Sequence, residues 1–95
     1  MLFTVWTFQS VVGDVYGVPP SGSIDRALAN AILGRRKERK ATQEETAFAA
    51  GLTVGTFGLI ERGRINPTWT TVQGIAKALD MTPSELAAVA EGTER

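Results

Sequence analysis

The feature that most constrains the fold is the stretch TQEETAFAAGLTVGTFGLIERG, which runs from Thr42 to Gly63. It predicts two short helices joined by a turn, because Thr42 and Thr53 are good helix N-caps and Gly51 has the position of a glycine that ends a helix. Gly63 marks the end of the second helix. Two helices this short must bury their apolar faces against further elements of the chain.

One further helix is predicted before this pair. Ile24, Leu28 and Ile32 recur every four residues, and Ser23 is a candidate N-cap for a helix that extends to about Arg39. The last turns of this helix carry the basic run RRKERK, which continues to Lys40. Such a run is either a solvated helix end, where cations are favoured by the helix dipole, or part of a surface that attracts an anionic partner.

Two more helices are predicted after the pair. Thr68 is the expected N-cap of a helix whose apolar residues form one stripe: Trp69, Val72, Ile75, Ala76 and Leu79. In the sequence TPSE, Thr82 and Glu85 have the spacing of a capping box and Pro83 the first helical position, so a last helix is expected through about Ala90. Five short helices predict an all-α domain.

Composition limits the functions that this domain can have. The chain has 95 residues, enough for one domain, with 43% apolar residues and a formal net charge of zero. Zero net charge argues against a purely electrostatic nucleic-acid binder, although a local basic face is compatible with it. The sequence has no cysteine and no histidine, which excludes disulfides, thiolate or imidazole metal sites and histidine-dependent catalysis. We expect no enzyme activity, no metal and no cofactor.

The first 22 residues form an apolar extension that ends in the linker GVPPSG, and residues 23–95 form the helical domain. The extension is rich in aromatic and β-branched residues, and Gly13-Asp14 is a candidate hairpin turn. An isolated hairpin is marginal in water, so this segment packs on the helical body, packs on a second chain, or remains disordered. It lacks a basic leader and the length of a membrane span, so a cytoplasmic protein with no membrane contact is expected.

The spacing of residues from about Ile32 to Val89 resembles the helix-turn-helix domain of the Cro and phage-repressor family. The resemblance rests on Arg36, TQEE, Ala47, Gly51-Leu52-Thr53, Phe57, IERGR, Asn66-Pro67 and IAKALDMTPSEL. It implies that the third helix lies in the major groove of double-stranded DNA, in a homodimer that reads two half-sites. The expected fold is therefore a five-helix DNA-binding domain of the phage-repressor type with an N-terminal extension.

The same resemblance assigns roles to individual side chains. Arg36 and Glu61 match an internal ion pair between the first and third helices, and a scaffold role is favoured over DNA contact for both. Contacts with the DNA backbone are implied at the starts or ends of helices and in the loop after the third helix: Lys40, Thr42, Gln43, Arg62, Arg64 and Asn66.

The third helix is poor in side chains that could hydrogen-bond to bases. Val54, Gly55 and Leu59 stand where this family often has polar residues, so direct readout is expected to be sparse. The candidates for base or groove contact are Thr53, Val54, Gly55 and Thr56, through hydroxyl groups, thymine-methyl contacts or close backbone approach. Thr46 replaces a usual core leucine, and Phe48 replaces a usual charged surface residue.

Three functions are consistent with these residues. The first is a sequence-specific transcriptional regulator that acts as a dimer on an operator. The second is an antitoxin that regulates its own operon and binds a toxin protein through the extension. The third is a protein-interaction adaptor that keeps the fold and has lost DNA binding. Dependence of duplex affinity on salt separates the third from the other two.

Overall fold

Five α-helices make up the computed structural model, which describes residues 24–92. They are α1 (Arg26–Glu38), α2 (Gln43–Ala50), α3 (Val54–Glu61), α4 (Trp69–Ala78) and α5 (Pro83–Glu91). The all-α prediction is confirmed for this part of the chain. The predicted hairpin of the extension lies outside the described residues.

Every helix begins at a side chain that accepts a hydrogen bond from a backbone N–H of the first turn. In α1 this side chain belongs to Asp25, whose Oδ1 accepts from the Leu28 N–H at 2.9 Å, so the prediction of Ser23 as the N-cap is wrong. An aspartate caps at least as well as a serine, and its negative charge is favoured at a helix N-terminus. The other four N-caps are the predicted threonines, Thr42, Thr53, Thr68 and Thr82.

Side chains from all five helices form the core. Helix α2 packs chiefly against α4, α1 packs against α5, and α3 rests on α1 and α2. The largest fully buried side chains come from all helices except α2: Ile32, Phe57, Ile60, Ile75, Leu79 and Leu86. Because α3 has neighbours on one side only, its opposite side faces solvent.

One glycine fixes how closely two helices approach. A Cβ atom on Gly74 would lie 3.0 Å from the carbonyl oxygen of Ala50, so the absence of a side chain lets α4 pack against the end of α2. Gly58 on α3 is buried beneath the guanidinium group of Arg62.

Thr46 on α2 is buried at a position where the family resemblance implies leucine. Its hydroxyl has no hydrogen-bond partner among the described residues.

The predicted apolar stripe of α4 is correct except at its first member. Ile75, Ala76 and Leu79 are buried, but 63% of Trp69 is exposed. The spacing of Trp69 fits the stripe, yet this first residue of the helix is exposed, whereas Val72, at the end of the same turn, packs against the core. Within residues 24–92, no helix has the length and apolar character needed to cross a bilayer.

Candidate nucleic-acid interface

The turn between α2 and α3 determines the direction of α3. Gly51 has a φ of +78°, a left-handed conformation that glycine adopts without steric cost. Its N–H donates to the Phe48 carbonyl at 3.1 Å, and the next N–H, of Leu52, donates to the Ala47 carbonyl at 2.9 Å. These two bonds close the end of α2 and lead the chain directly to Thr53, the N-cap of α3.

Helix α3 has one buried face and one exposed face. Phe57 and Ile60 point into the core, whereas Gly55 is exposed, as are 43% of Val54 and 36% of Leu59. The exposed face is thus apolar or bare, as the sequence predicted. The two threonines near its start are bound to each other: the Thr53 hydroxyl accepts from the N–H of Thr56 and donates to its hydroxyl oxygen, both at 3.1 Å.

The predicted pair between Arg36 and Glu61 joins α1 to the end of α3. The Arg36 Nε lies 2.6 Å from Glu61 Oε2, and its Nη2 lies 3.2 Å from Oε1. The remaining Nη1 donates to the Ala41 carbonyl at 2.8 Å. Both charged side chains are largely buried, so the pair acts as scaffold within the fold.

Gln43 and Thr42, which the resemblance assigns to phosphate contact, also make internal bonds. The Gln43 amide donates to Glu61 Oε1 at 2.8 Å, so α2 is tied to the same carboxylate as α1. A side-chain amide has two N–H donors, and one of them is used here. Thr42 and Glu45 form a capping box, in which the Thr42 N–H donates to the Glu45 carboxylate at 2.9 Å.

The loop after α3 is anchored to the start of α1. The Asn66 Oδ1 accepts from the Asp25 N–H at 2.8 Å, and Arg26 Nη1 donates to the Arg62 carbonyl at 3.2 Å. Gly63, between these anchors, has a φ of +71°, and a Cβ there would lie 2.8 Å from Arg26 Nη1. Arg26 is a loop-positioning residue that the sequence reasoning missed, because no short-range pattern connects it to Arg62.

The side chains of Arg62 and Arg64 are exposed at the end of α3. Both arginines therefore remain accessible to an external anion. Contact of these arginines and of Asn66 with the DNA backbone stays a prediction.

The basic run at the end of α1 is partly neutralised by carboxylates. Arg35 lies 3.4 Å from Glu38, and Arg39 lies 3.8 Å from Asp80. Lys37 and Lys40 are exposed beside them, and Lys40 stands two residues before the N-cap of α2. The positive charge available to a partner on this side is smaller than the sequence alone indicates. Residues 24–92 contain no cluster of carboxylates arranged to hold a metal ion.

Comparisons with known proteins agree with this arrangement. A family model described as a helix-turn-helix domain matches residues 27–89. Two crystal structures of the clp gene regulator ClgR from Corynebacterium glutamicum are 24% identical to the chain, with TM-scores of 0.69 and 0.67. The matches cover 78% and 75% of this chain, and 79% and 92% of the respective ClgR chains.

A third similar structure is the restriction-modification controller protein C.AhdI from Aeromonas hydrophila. It is 31% identical, with a TM-score of 0.63, and the match covers 65% of this chain and 94% of that one. No curated protein sequence gives a significant match. Because the family model matches more than half of the chain and the helices have the predicted order, the chain belongs to the helix-turn-helix family, in its Cro and phage-repressor type.

Proposed function

We propose that this chain is a DNA-binding transcriptional regulator that acts in the cytoplasm by occupying an operator, without catalysis. The observation that carries the proposal is the placement of α3, which is held from behind by the core and by Glu61 and presents its other face to solvent. A helix presented in this way fits the major groove. The similarity to ClgR, a gene regulator, and to C.AhdI, a restriction-modification controller, supports the same conclusion.

The proposed backbone contacts surround α3. Arg62 and Arg64 supply exposed guanidinium groups after it, and Lys40 supplies an ammonium group before α2. Gln43 contributes its second amide N–H to a phosphate, while Thr42 holds the start of α2 and Asn66 holds the loop after α3 in place through their internal bonds. Together these groups determine position and affinity but carry little sequence information.

The first turn of α3 supplies the proposed base contacts. The hydroxyl hydrogen of Thr53 is directed to Thr56, which leaves the Thr56 hydroxyl as the donor for a base or phosphate. The methyl groups of Val54 and Thr56 are suited to thymine methyl groups. With so few donors, the protein takes part of its specificity from duplex shape.

Removing the Arg64 side chain is expected to weaken binding to all duplexes alike. The Arg64→Ala variant should shrink the log-log dependence of affinity on salt by about one unit, because one phosphate is no longer neutralised. The measurement is titration of a mixed-sequence duplex at several salt concentrations. Lys77→Ala is the matched control, since Lys77 is an exposed cation on α4 beside Asp80 and Glu85. It should leave the slope unchanged.

Two results would contradict the proposal. If the unchanged chain binds duplex DNA with no salt dependence, or does not bind it, the adaptor function replaces the regulator. If Arg64→Ala relaxes preference at one base position only, Arg64 contacts a base and not a phosphate.

The adaptor is the second candidate function. Phe48, on the outer side of α2, is 87% exposed and favours this candidate, because a protein partner would cover such a side chain.

We further propose that residues 23–95 form the DNA-binding domain of a homodimer and that residues 1–22 form its association arm. Leu2 to Tyr16 carry one charge among many apolar residues, which favours a covered position. The described chain begins at Ile24, beside the bond between Asp25 and the loop residue Asn66. Ile65 and Trp69, which flank Asn66 in the sequence, are exposed apolar side chains that an arm of this kind would cover, on the same chain or on a second one.

Deletion of residues 1–18 is expected to weaken self-association and leave the helical fold intact, because within residues 24–92 the five helices are capped and pack against one another. Sedimentation of both chains at equal concentration measures the effect. The full-length double variant Trp6→Ser, Phe8→Ser should reproduce it if apolar side chains are responsible. Equal dimer populations for the deleted and complete chains would refute the dimerisation role, and a separate protein, such as a toxin, would then be the partner to seek.

A further inference from the structure

Four glycines lie inside helices of the described chain, and at two of them a Cβ would make a close contact. A Cβ on Gly58 would lie 3.1 Å from Arg62 Nη1, and a Cβ on Gly74 would lie 3.0 Å from the Ala50 carbonyl. A Cβ on Gly34 or Gly55 would have no atom within 4 Å apart from its chain neighbours and the backbone of its own helix. Neither of these two has a positive φ, so alanine would fit the backbone at both positions and favour the helix.

Gly55 differs from Gly34 in what its bare surface faces. Gly55 is the second residue of α3, between the exposed Val54 and the half-buried Thr56. The first residues of a recognition helix are those that approach base edges. Gly34 lies in α1 and lines a cleft with Met81, which precedes α5, and with Val89 of α5. Its exposed surface is therefore separate from the first turn of α3.

We propose that Gly55 is a specificity-determining residue whose missing side chain lets the backbone of α3 contact the floor of the major groove. This inference rests on the proposed function and deepens it. Gly55 lies between Val54 and Thr56, whose hydroxyl is bonded to that of Thr53. Close approach of the backbone at Gly55 therefore brings the methyl groups of Val54 and Thr56, and the Thr56 hydroxyl, within reach of the bases. Short side chains can read a groove only when the helix axis lies close to it.

The proposal also accounts for the lack of long polar side chains on the exposed face of α3. A long side chain reads bases from a helix that stands away from the groove, whereas threonine and valine require close approach. A methyl group at position 55 would occupy the contact surface itself and displace the helix outward. Every short contact in the first turn of α3 would then lengthen together.

The test compares Gly55→Ala with Gly34→Ala in the full chain. The probe is the duplex that the unchanged chain enriches most from a random-sequence library, beside a mixed-sequence duplex of equal length. Both variants should raise the thermal unfolding midpoint, because alanine favours a helix and meets no atom at either position. Gly55→Ala should weaken binding to the enriched duplex by about tenfold or more, the effect of losing one base pair's contacts. Gly34→Ala should leave that affinity unchanged.

The outcomes separate this inference from the function it rests on. If the unchanged chain enriches no duplex, the proposed function fails and the role of Gly55 fails with it. If it enriches a duplex and Gly55→Ala binds that duplex equally well or more tightly, the regulator stands and the close-approach role of Gly55 is overturned. An equal loss of affinity in both variants, or an equal loss on both duplexes, would also overturn it, because the effect would not be specific to base reading at this position.

Discussion

Glu61→Ala is expected to destabilise the domain by about 3 to 5 kcal/mol, because it leaves a largely buried arginine without its partner. Glu61 is 5% exposed, and its carboxylate accepts hydrogen bonds from Arg36 and from Gln43. One truncation therefore removes the bonds that tie α3 to both α1 and α2. The measurement is the free energy of unfolding from denaturant titration, compared with that of the unchanged chain.

Glu44→Ala provides the matched control. Glu44 is an exposed carboxylate in the first turn of α2, and its loss should cost about 1 kcal/mol or less, as expected for a charge near a helix N-terminus. The double replacement Arg36→Met, Glu61→Leu should recover much of the lost stability, since an apolar pair can substitute for a buried ion pair. Equal unfolding midpoints for Glu61→Ala and Glu44→Ala would show that the pair contributes little.

Local signals predicted the helices well, because their ends depend on neighbouring residues. A threonine followed three residues later by glutamate satisfies the first N–H groups of a helix wherever the helix lies. The predicted box of Thr82 and Glu85 is present, and Thr42, predicted only as an N-cap, forms a second box with Glu45. The start of α1 was predicted wrongly at Ser23, because Asp25 caps equally well and is held in place by a distant contact. The Asp25 N–H is bound by Asn66, 41 residues away, which sequence spacing cannot reveal.

The candidate site was predictable where it follows the family pattern and less so where it depends on tertiary contacts. The pair of Arg36 and Glu61 was predicted from the resemblance, and the structure contains it. The bond between Gln43 and Glu61 was not predicted, because a glutamine at the start of a helix carries no signal of where its amide will point. The exposure of Trp69 was missed for a related reason: periodicity identifies a face of a helix but not where the packed region begins.

The two faces of α3 can be compared directly by truncating one side chain on each. Phe57→Ala is expected to cost about 3 to 5 kcal/mol of unfolding free energy, because the ring is fully buried and its loss leaves a cavity among Ile32, Ile60 and Ile75. Leu59→Ala, two residues along the same helix, should cost about 1 kcal/mol or less, since the side chain is exposed and alanine favours the helix. Denaturant titration of both variants measures the difference.

The same two variants separate folding from recognition. If the outer face of α3 enters the groove, Leu59→Ala should change affinity for the duplex enriched by the unchanged chain while its unfolding midpoint stays close to that of the unchanged chain. Phe57→Ala should lose DNA binding only in proportion to its unfolded fraction, because its side chain lies behind the helix and touches no solvent. Comparable losses of stability in Phe57→Ala and Leu59→Ala would mean that both faces of α3 contribute to packing. Its presentation to DNA would then need another explanation.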